Sequence, residues 1–384
     1  MANKNRNGGI YKMKNYKNYF LTSESVTKGH PDKVADLISD SILDEYLRKD
    51  KNSRVAVETM LSNGKVTVAG QVSSNGQVDI EKVVRDTLKK VGYDDAENSM
   101  DYSECKIEIN ITKQSEDIAL GVDDGGAGDQ GIIFGYATDE TEEYMPYPII
   151  LAHKLSKKID EVRENNILPY LKSDGKVQVT VEYVNDMPIR IDTILISVQH
   201  SKEVELIQLQ KEILENVILE TVDSEMLDIE TKFYINPTGR FVIGGAIADT
   251  GLTGRKIIVD TYGGIARHGG GAFSGKDGTK VDRSGAYMLR HIAKNVVANG
   301  LARRCEIQMS YGIGINKPIS LYIDCFGTNR IAEGLIIKLI KERFDLTPKG
   351  IINYLKLKEP IYSKTTNCGH FGRKGFTWEE LIQI

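Results

Sequence analysis

Val55-Ala-Val-Glu-Thr-Met-Leu61, then Asn63-Gly64, then Val66-Thr-Val-Ala69 alternates apolar and polar residues on either side of a two-residue turn. Asn-Gly tolerates the positive φ angles of a type I′ turn, so the stretch predicts a β-hairpin. A helix pattern precedes it over about 30–49, with Pro31 suited to the first turn and Val34, Ile38, Ile42 and Tyr46 on one face. A second helix is predicted over about 79–91, with Asp79 as N-cap and Gly92 just past its end. The same order returns twice. A helix near 148–165, extended segments near 176–184 and 188–199 around Asn185-Asp186, and a helix near 201–219 make the second copy. A helix near 281–299, strands near 304–312 and 318–325, and a helix near 329–343 make the third. The copies share architecture without sequence identity. The expectation is an α+β fold of three pseudo-symmetric helix–β-hairpin–helix units. The units are placed at 18–116, 125–239 and 240–384, with domains discontinuous in sequence, after a disordered leader over 1–17 that is basic and has no hydrophobic pattern.

Composition limits the function classes. The chain has 384 residues, 40% hydrophobic and 27% charged, with a formal net charge of −4, as expected of a globular protein of two or three domains. No apolar run approaches the roughly 18 residues of a membrane span. Mild acidity argues against nucleic acid as a partner. Cys105, Cys305, Cys325 and Cys368 form no CxxC pair, so they read as reduced thiols of a cytoplasmic protein.

Against that acidic background, residues 240–283 stand out. They hold eleven glycines, and seven Lys/Arg against four Asp. Glycine lets backbone N–H groups approach a ligand while the cations supply opposite charge, a combination suited to a polyphosphate. Gly270-Gly-Ala-Phe-Ser-Gly-Lys276 matches the start of a P-loop, but Asp277 stands where Ser/Thr belongs and no strand leads into it. An anion-cradling loop with Lys276 and Lys280 survives that objection; a P-loop NTPase does not. Gly29-His30-Pro31-Asp32-Lys33 opens the first long helix, where positive potential favours anions. There His30 is suited to donate to a phosphate oxygen, Asp32 to hold Mg²⁺ and Lys33 to pair with phosphate, although an N-cap cluster without a ligand reads equally well. Gly125-Gly-Ala-Gly-Asp129-Gln-Gly131 follows Asp123-Asp124, and glycines next to carboxylates suit a metal–nucleotide site. Glu58 is a carboxylate in an apolar strand, wanting a cation or facing solvent. Asp174-Gly175-Lys176 alone reads as a turn.

Taken together, these segments resemble the S-adenosylmethionine synthetase (methionine adenosyltransferase) family. The resemblance rests on Leu21-Thr-Ser-Glu-Ser-Val-Thr-Lys-Gly-His-Pro-Asp-Lys33, Gly126-Ala-Gly-Asp-Gln-Gly131, Phe233-Tyr-Ile-Asn-Pro-Thr-Gly-Arg-Phe241, Gly251-Leu-Thr-Gly-Arg-Lys256, Gly269-Gly-Gly-Ala-Phe-Ser-Gly-Lys-Asp277 and Gly369-His-Phe-Gly-Arg373. It covers the chain from about residue 19 onward. It implies synthesis of S-adenosylmethionine from ATP and L-methionine by sulfur attack on C5′, followed by hydrolysis of the bound triphosphate to phosphate and pyrophosphate. It also implies two Mg²⁺ per active site, one K⁺ per subunit, and homodimers with interface active sites, paired into tetramers.

The same resemblance distributes roles. His30, Lys176, Lys276 and Arg255 would act in catalysis. Asp174, Arg240, Phe241, Asp249, Lys256 and Ala272 would join them around ATP. Gln71, Gln114, Asp249 and Lys280 would hold methionine. Asp32 and Asp282 would bind Mg²⁺ and Glu58 K⁺, with Lys33 and Asp129 as further active-site residues. Two departures carry consequences. Gln71 stands where the family usually has glutamate, and the loop after Gln114, which gates the site in the family, is short. They leave open a methionine-independent tripolyphosphatase and, from another class, a nucleotide-binding regulatory subunit.

Overall fold

The computed structural model describes residues 18–97, 100–113 and 125–384. Strand β1 (Asn18–Val26) leads into helix α1 (Pro31–Lys49), then the hairpin β2 (Arg54–Ser62) and β3 (Lys65–Ser73), and helix α2 (Ile80–Val91). The turn is of the expected kind, with Asn63 at φ 44° and Gly64 at 77°. Asp79 caps α2 through Lys82 N–H, and Gly92 ends it at φ 88°. A two-residue ladder of β4 (Asp94–Asp95) with β5 (Met100–Asp101) precedes β6 (Lys106–Thr112) and β7 (Gly131–Thr138). Helix α3 (Tyr147–Glu164) and the long hairpin β8 (Leu171–Val184) and β9 (Met187–His200) follow, turning at Asn185 and Asp186, both at positive φ.

The helix expected from 201 starts later, as α4 (Leu206–Ile213), and runs on through a π-helical segment, Leu214–Ile218. Residues 201–205 are instead drawn into the loop, where Ser201 N–H binds the Tyr170 carbonyl. Beyond it come β10 (Lys232–Ile235), short α5 (Gly245–Ala248), β11 (Gly251–Leu252) and short α6 (Ile257–Asp260). The chain then forms α7 (Val281–Ala298), β12 (Arg304–Tyr311), β13 (Ser320–Asp324), α8 (Glu333–Arg343) and α9 (Pro348–Tyr354). Helix α8 begins four residues later than expected, because residues 329–332 form the turn from β13.

Three sheets organise these strands, in the orders β1-β8-β9-β10, β11-β2-β3-β6 and β13-β12-β7. The first two share one plan: a hairpin, an antiparallel strand beside its first member, and a parallel strand beside its second. The third has a hairpin and one antiparallel neighbour among the described residues. Strands distant in sequence close each sheet, as when β1 pairs with β8 and β11 with β2. Helices cover one face. Leu151, Leu155, Ile159 and Val162 of α3 pack with Val177, Val179, Val181, Ile194 and Ile196 of the first sheet. A larger core joins α1, α2 and α7 to the other two sheets. Cys305 lies beside Cys325, both buried, where β12 faces the end of β13; burial pushes the Cys305 thiol up, and all four cysteines are free.

Candidate active site

Four aspartates on one face of α1 organise the loops of the site. His30 is the N-cap, and its Nδ1 accepts from Asp32 N–H at 3.2 Å. Burial, reinforced by Lys256, lowers its pKa to about 3, so the imidazole is neutral at physiological pH. Asp32 accepts from Leu252 N–H at 2.9 Å and from Lys256 Nζ at 2.5 Å, with Arg255 Nε 3.9 Å away. Burial opposes ionisation of Asp32, yet Lys256 and that N–H hold the carboxyl below its usual range. One turn on, Asp36 accepts from Gly254 N–H at 2.8 Å. Asp40 accepts from Gly275 N–H at 2.8 Å and grips Arg283 through two bonds of 2.7 and 2.8 Å. Asp44 takes Tyr362 and Ser363 N–H, both at 2.9 Å. All four are buried, so they act as fixed acceptors and not as a solvated face. The signal, Asp every fourth residue from 32 to 44, is plain in the sequence and was missed.

The end of β8 lies against the turn before α1. A Cβ on Gly29 would stand 2.3 Å from Ser173 Cβ, and Val26 pairs with Lys176. Lys176 is half-exposed and bonds Glu24 at 2.6 Å. Buried Asp174 accepts from Gly245 N–H at 2.8 Å, and burial together with nearby Asp249 raises its pKa to about 6. Phe241 is fixed through its backbone: its N–H donates to His200 Nε2 at 3.0 Å, and its carbonyl accepts from His200 N–H. Arg240 and Asp249 are exposed.

The glycine-rich loop reaches the same region along the edge of β2. Leu252 pairs with Met60 on that edge, and Ala56 forms an isolated bridge with Lys276. Gly275, at φ 79°, lies where a Cβ would come within 1.9 Å of the Val57 carbonyl oxygen, so glycine is required there. A Cβ on Gly254 would sit 2.5 Å from Ala272 Cβ. This contact joins the Arg255-Lys256 loop to the Ala272–Lys276 loop. Lys276 Nζ bonds Asp282 at 2.8 Å, and Lys280 Nζ bonds Asp277 at 2.7 Å. Gly131 and Gly271 both crowd Asp282, which brings the 125–131 segment and exposed Asp129 to the same place.

Comparison with known proteins places the chain in a family. The chain matches the S-adenosylmethionine synthetase N-terminal domain over residues 18–116, the central domain over 124–241 and the C-terminal domain over 243–380. It is 54% identical over 387 residues to an S-adenosylmethionine synthase of Staphylococcus epidermidis, covering 96% of this chain and 97% of that one. Enzymes of that name from Desulfosudis oleivorans (53%; 94% of this chain, 95% of the other) and Clostridium botulinum (54%; 95% and 97%) are similarly close. The chain belongs to the S-adenosylmethionine synthetase family.

Not every expected family site residue joins the cluster. Lys33 is buried, with its ammonium between Asp36 and Asp260, which engages it in the framework. Arg283, buried on Asp40, and Arg267, on Glu306 at 2.6 Å, are likewise structural, so the charge available from 240–283 is smaller than composition suggests. Glu58 and Gln71 lie on the exposed face of the β2–β3 hairpin, the face that Ala56 shares with Lys276 across their bridge. Gln114 and the loop after it lie outside the described residues. Among the described residues no group of three or more His, Cys, Asp or Glu forms a metal cage. Asp282 keeps Oδ1 clear of Lys276, whereas Asp32 has both oxygens engaged. One or two carboxylates suit Mg²⁺ that takes its remaining ligands from phosphate and water. For K⁺, Glu58 alone makes no enclosure.

Proposed function

We propose that the protein makes S-adenosylmethionine from ATP and L-methionine and then hydrolyses the bound triphosphate. The observation that carries the reading is the Gly254–Ala272 contact, which joins the Arg255–Lys256 loop, bound at Asp32 and Asp36, to the loop of Lys276, bound at Asp40, along one face of α1. A thioether sulfur is uncharged and needs no base to attack C5′, so the difficulty lies in the negative charge that builds on the departing triphosphate. Fixed cations and backbone N–H groups answer that demand without reorganising. Neutral His30 offers a ring N–H toward the bridging oxygen at C5′, while Arg255, Lys256, Lys276 and Lys176 take the phosphate oxygens. For Lys256 and Lys276 this means exchanging Asp32 and Asp282 for phosphate, which frees those carboxylates. Mg²⁺ held by Asp32 and Asp282, two per site, would neutralise further phosphate charge.

In this reading Asp174, Arg240 and Asp249 border the nucleotide, and Phe241 stacks on the base. Gln71, Gln114, Asp249 and Lys280 face methionine, and Asp129 is a further carboxylate of the site. Glu58 would contribute to a K⁺ site completed across an interface. Its position and that of Gln71 on an open sheet face favour a homodimer with interface active sites, and dimers paired into tetramers. The shared plan of two sheets favours descent of the three units from one pseudo-symmetric pattern.

Chromatographic detection of S-adenosylmethionine from ATP, methionine, Mg²⁺ and K⁺ tests the reading. Product is expected, abolished by excess chelator and reduced when Na⁺ replaces K⁺. Triphosphate hydrolysis without any S-adenosylmethionine would overturn it, and undiminished turnover in chelator would overturn the Mg²⁺ assignment.

A further inference from the structure

A cavity of about 620 Å³ opens where the start of α1, helix α3 and the C-terminal segment 363–374 meet. Its size falls within the roughly 300–1,000 Å³ of small-molecule sites. Of the residues given roles in the ATP and methionine reading, none lines it; Lys33 does, but only as a framework residue. One wall is apolar, built from Leu37, Ile150 and Phe371. The rest is polar and rich in cations. Lys28, Lys154 and Lys157 are balanced by Glu164, Glu143 and Glu161. Lys90, Lys364, Lys374 and Arg373 make no ion pair among the described residues.

Arg373 is the most telling of these. It is partly buried, and its guanidinium lies over the Phe376 ring and is held by the carbonyls of Lys364, Asn367 and Gly369, with no carboxylate bound. A partly buried cation that has carbonyl partners and no counter-charge keeps a net positive potential toward the cavity, which an anion can complete. Two further groups on the wall are unsatisfied: buried His153 Nε2 and Asn367 Oδ1 have no hydrogen-bond partner among the described residues. His153 is oriented by Ser25 Oγ at Nδ1, 2.8 Å away. Gly369, at φ 71°, packs closely against the ring, where a Cβ would come 2.7 Å from Nε2. An oriented buried imidazole, an unpaired guanidinium and a flat apolar wall together define a built site.

We propose that this cavity is a second ligand site, which takes an organic phosphate of the nucleoside phosphate class, with the phosphate on Arg373, Lys364 and Lys374 and the ring against Phe371 and Ile150. An acidic peptide would use the cations but leave a closed apolar wall unfilled, so the mixed lining favours the nucleotide. The site adjoins the active centre through the short turn from Lys28 to His30 and is separate from it.

Equilibrium dialysis of ATP against the full chain, without methionine, tests this. Two ATP per chain are expected. Lys364→Glu with Lys374→Glu should weaken one of them by about tenfold or more, with the KM for ATP in synthesis unchanged; both side chains are exposed, so folding is not at risk. Lys276→Ala should weaken the other. A single ATP per chain, or two that both survive the charge reversal, would overturn the proposal. Inorganic triphosphate should compete at this site at least about tenfold less well than ATP; equal competition would remove the role given to the apolar wall and overturn the nucleoside assignment. Because the readout is binding, absence of synthesis would defeat the proposed function and leave this result standing on its own.

Discussion

Asp32 and Lys33 are adjacent in the chain and meet opposite fates. Asp32 reaches the loop that carries Arg255 and Lys256, while Lys33 turns inward between Asp36 and Asp260. A motif reading cannot separate them, since side chains one position apart on a helix point about 100° away from each other. Their substitutions should differ accordingly. Lys33→Met leaves two buried carboxylates without their cation, a loss of about 3–5 kcal/mol of stability. A marked fall in Tm is expected, with the KM for ATP nearly unchanged in the protein that remains folded; the reverse pattern would return Lys33 to the phosphate site. Gln71 poses a question of affinity. It stands opposite Ala56 on β3 and beside Thr112 of β6, exposed in the single chain. If it meets the methionine amino group, glutamate would supply a charge-assisted bond where the amide supplies a neutral one. Gln71→Glu should lower the KM for methionine by about tenfold, equivalent to roughly 1.4 kcal/mol, and leave the KM for ATP alone. A neutral or harmful result in steady-state kinetics would mean that another acid serves the amine.

Helix α1 is the element on which the site depends, and much of it was legible. Pro31, the Val34-Ile38-Ile42-Tyr46 stripe and the hairpin after it stand where periodicity and turn chemistry put them, because those signals are local. Partners of the hairpins were not legible: β1 joins β8 across about 150 residues, and β3 takes β6 in parallel. Periodicity carries no information about such long-range pairing. Nor did it flag the aspartates at 32, 36, 40 and 44, since polar residues at helical spacing usually mark a solvated face. The ladder distinguishes positioning from plain stability. Asp40 and Asp44 are both buried and both bind loop N–H groups, but Asp40 holds the loop of Lys276 and Asp44 the segment at 362–363. Asp40→Ala should lower kcat/KM for ATP by roughly tenfold or more, the equivalent of one charge-assisted hydrogen bond. Asp44→Ala should lower Tm with kcat/KM near that of the parent. Equal kinetic effects in the two variants would reduce the ladder to scaffolding.

At the scale of the whole molecule, the outer face of the β11-β2-β3-β6 sheet has no layer over it among the described residues. The helices sit on one side of the β11-β2-β3-β6 sheet, leaving Glu58, Met60 and Gln71 in the open, with Met60 41% exposed. Residues proposed for the site that face solvent on a partly apolar surface fit a second copy of the chain better than they fit a free monomer. In a two-fold interface each residue is presented by both copies, so a charge placed near the axis is opposed by its own image or buried against apolar surface, and either outcome is costly. Met60→Arg is therefore expected to halve the molar mass measured by light scattering, without lowering the Tm of the isolated chain, because the side chain packs against nothing in its own subunit's core. If the sites are shared between subunits, S-adenosylmethionine synthesis should fall about a hundredfold or more in the same variant, and raising the protein concentration should restore part of it. A monomeric Met60→Arg protein with undiminished kcat would show that one chain holds a complete site, and would move Glu58 and Gln71 out of it.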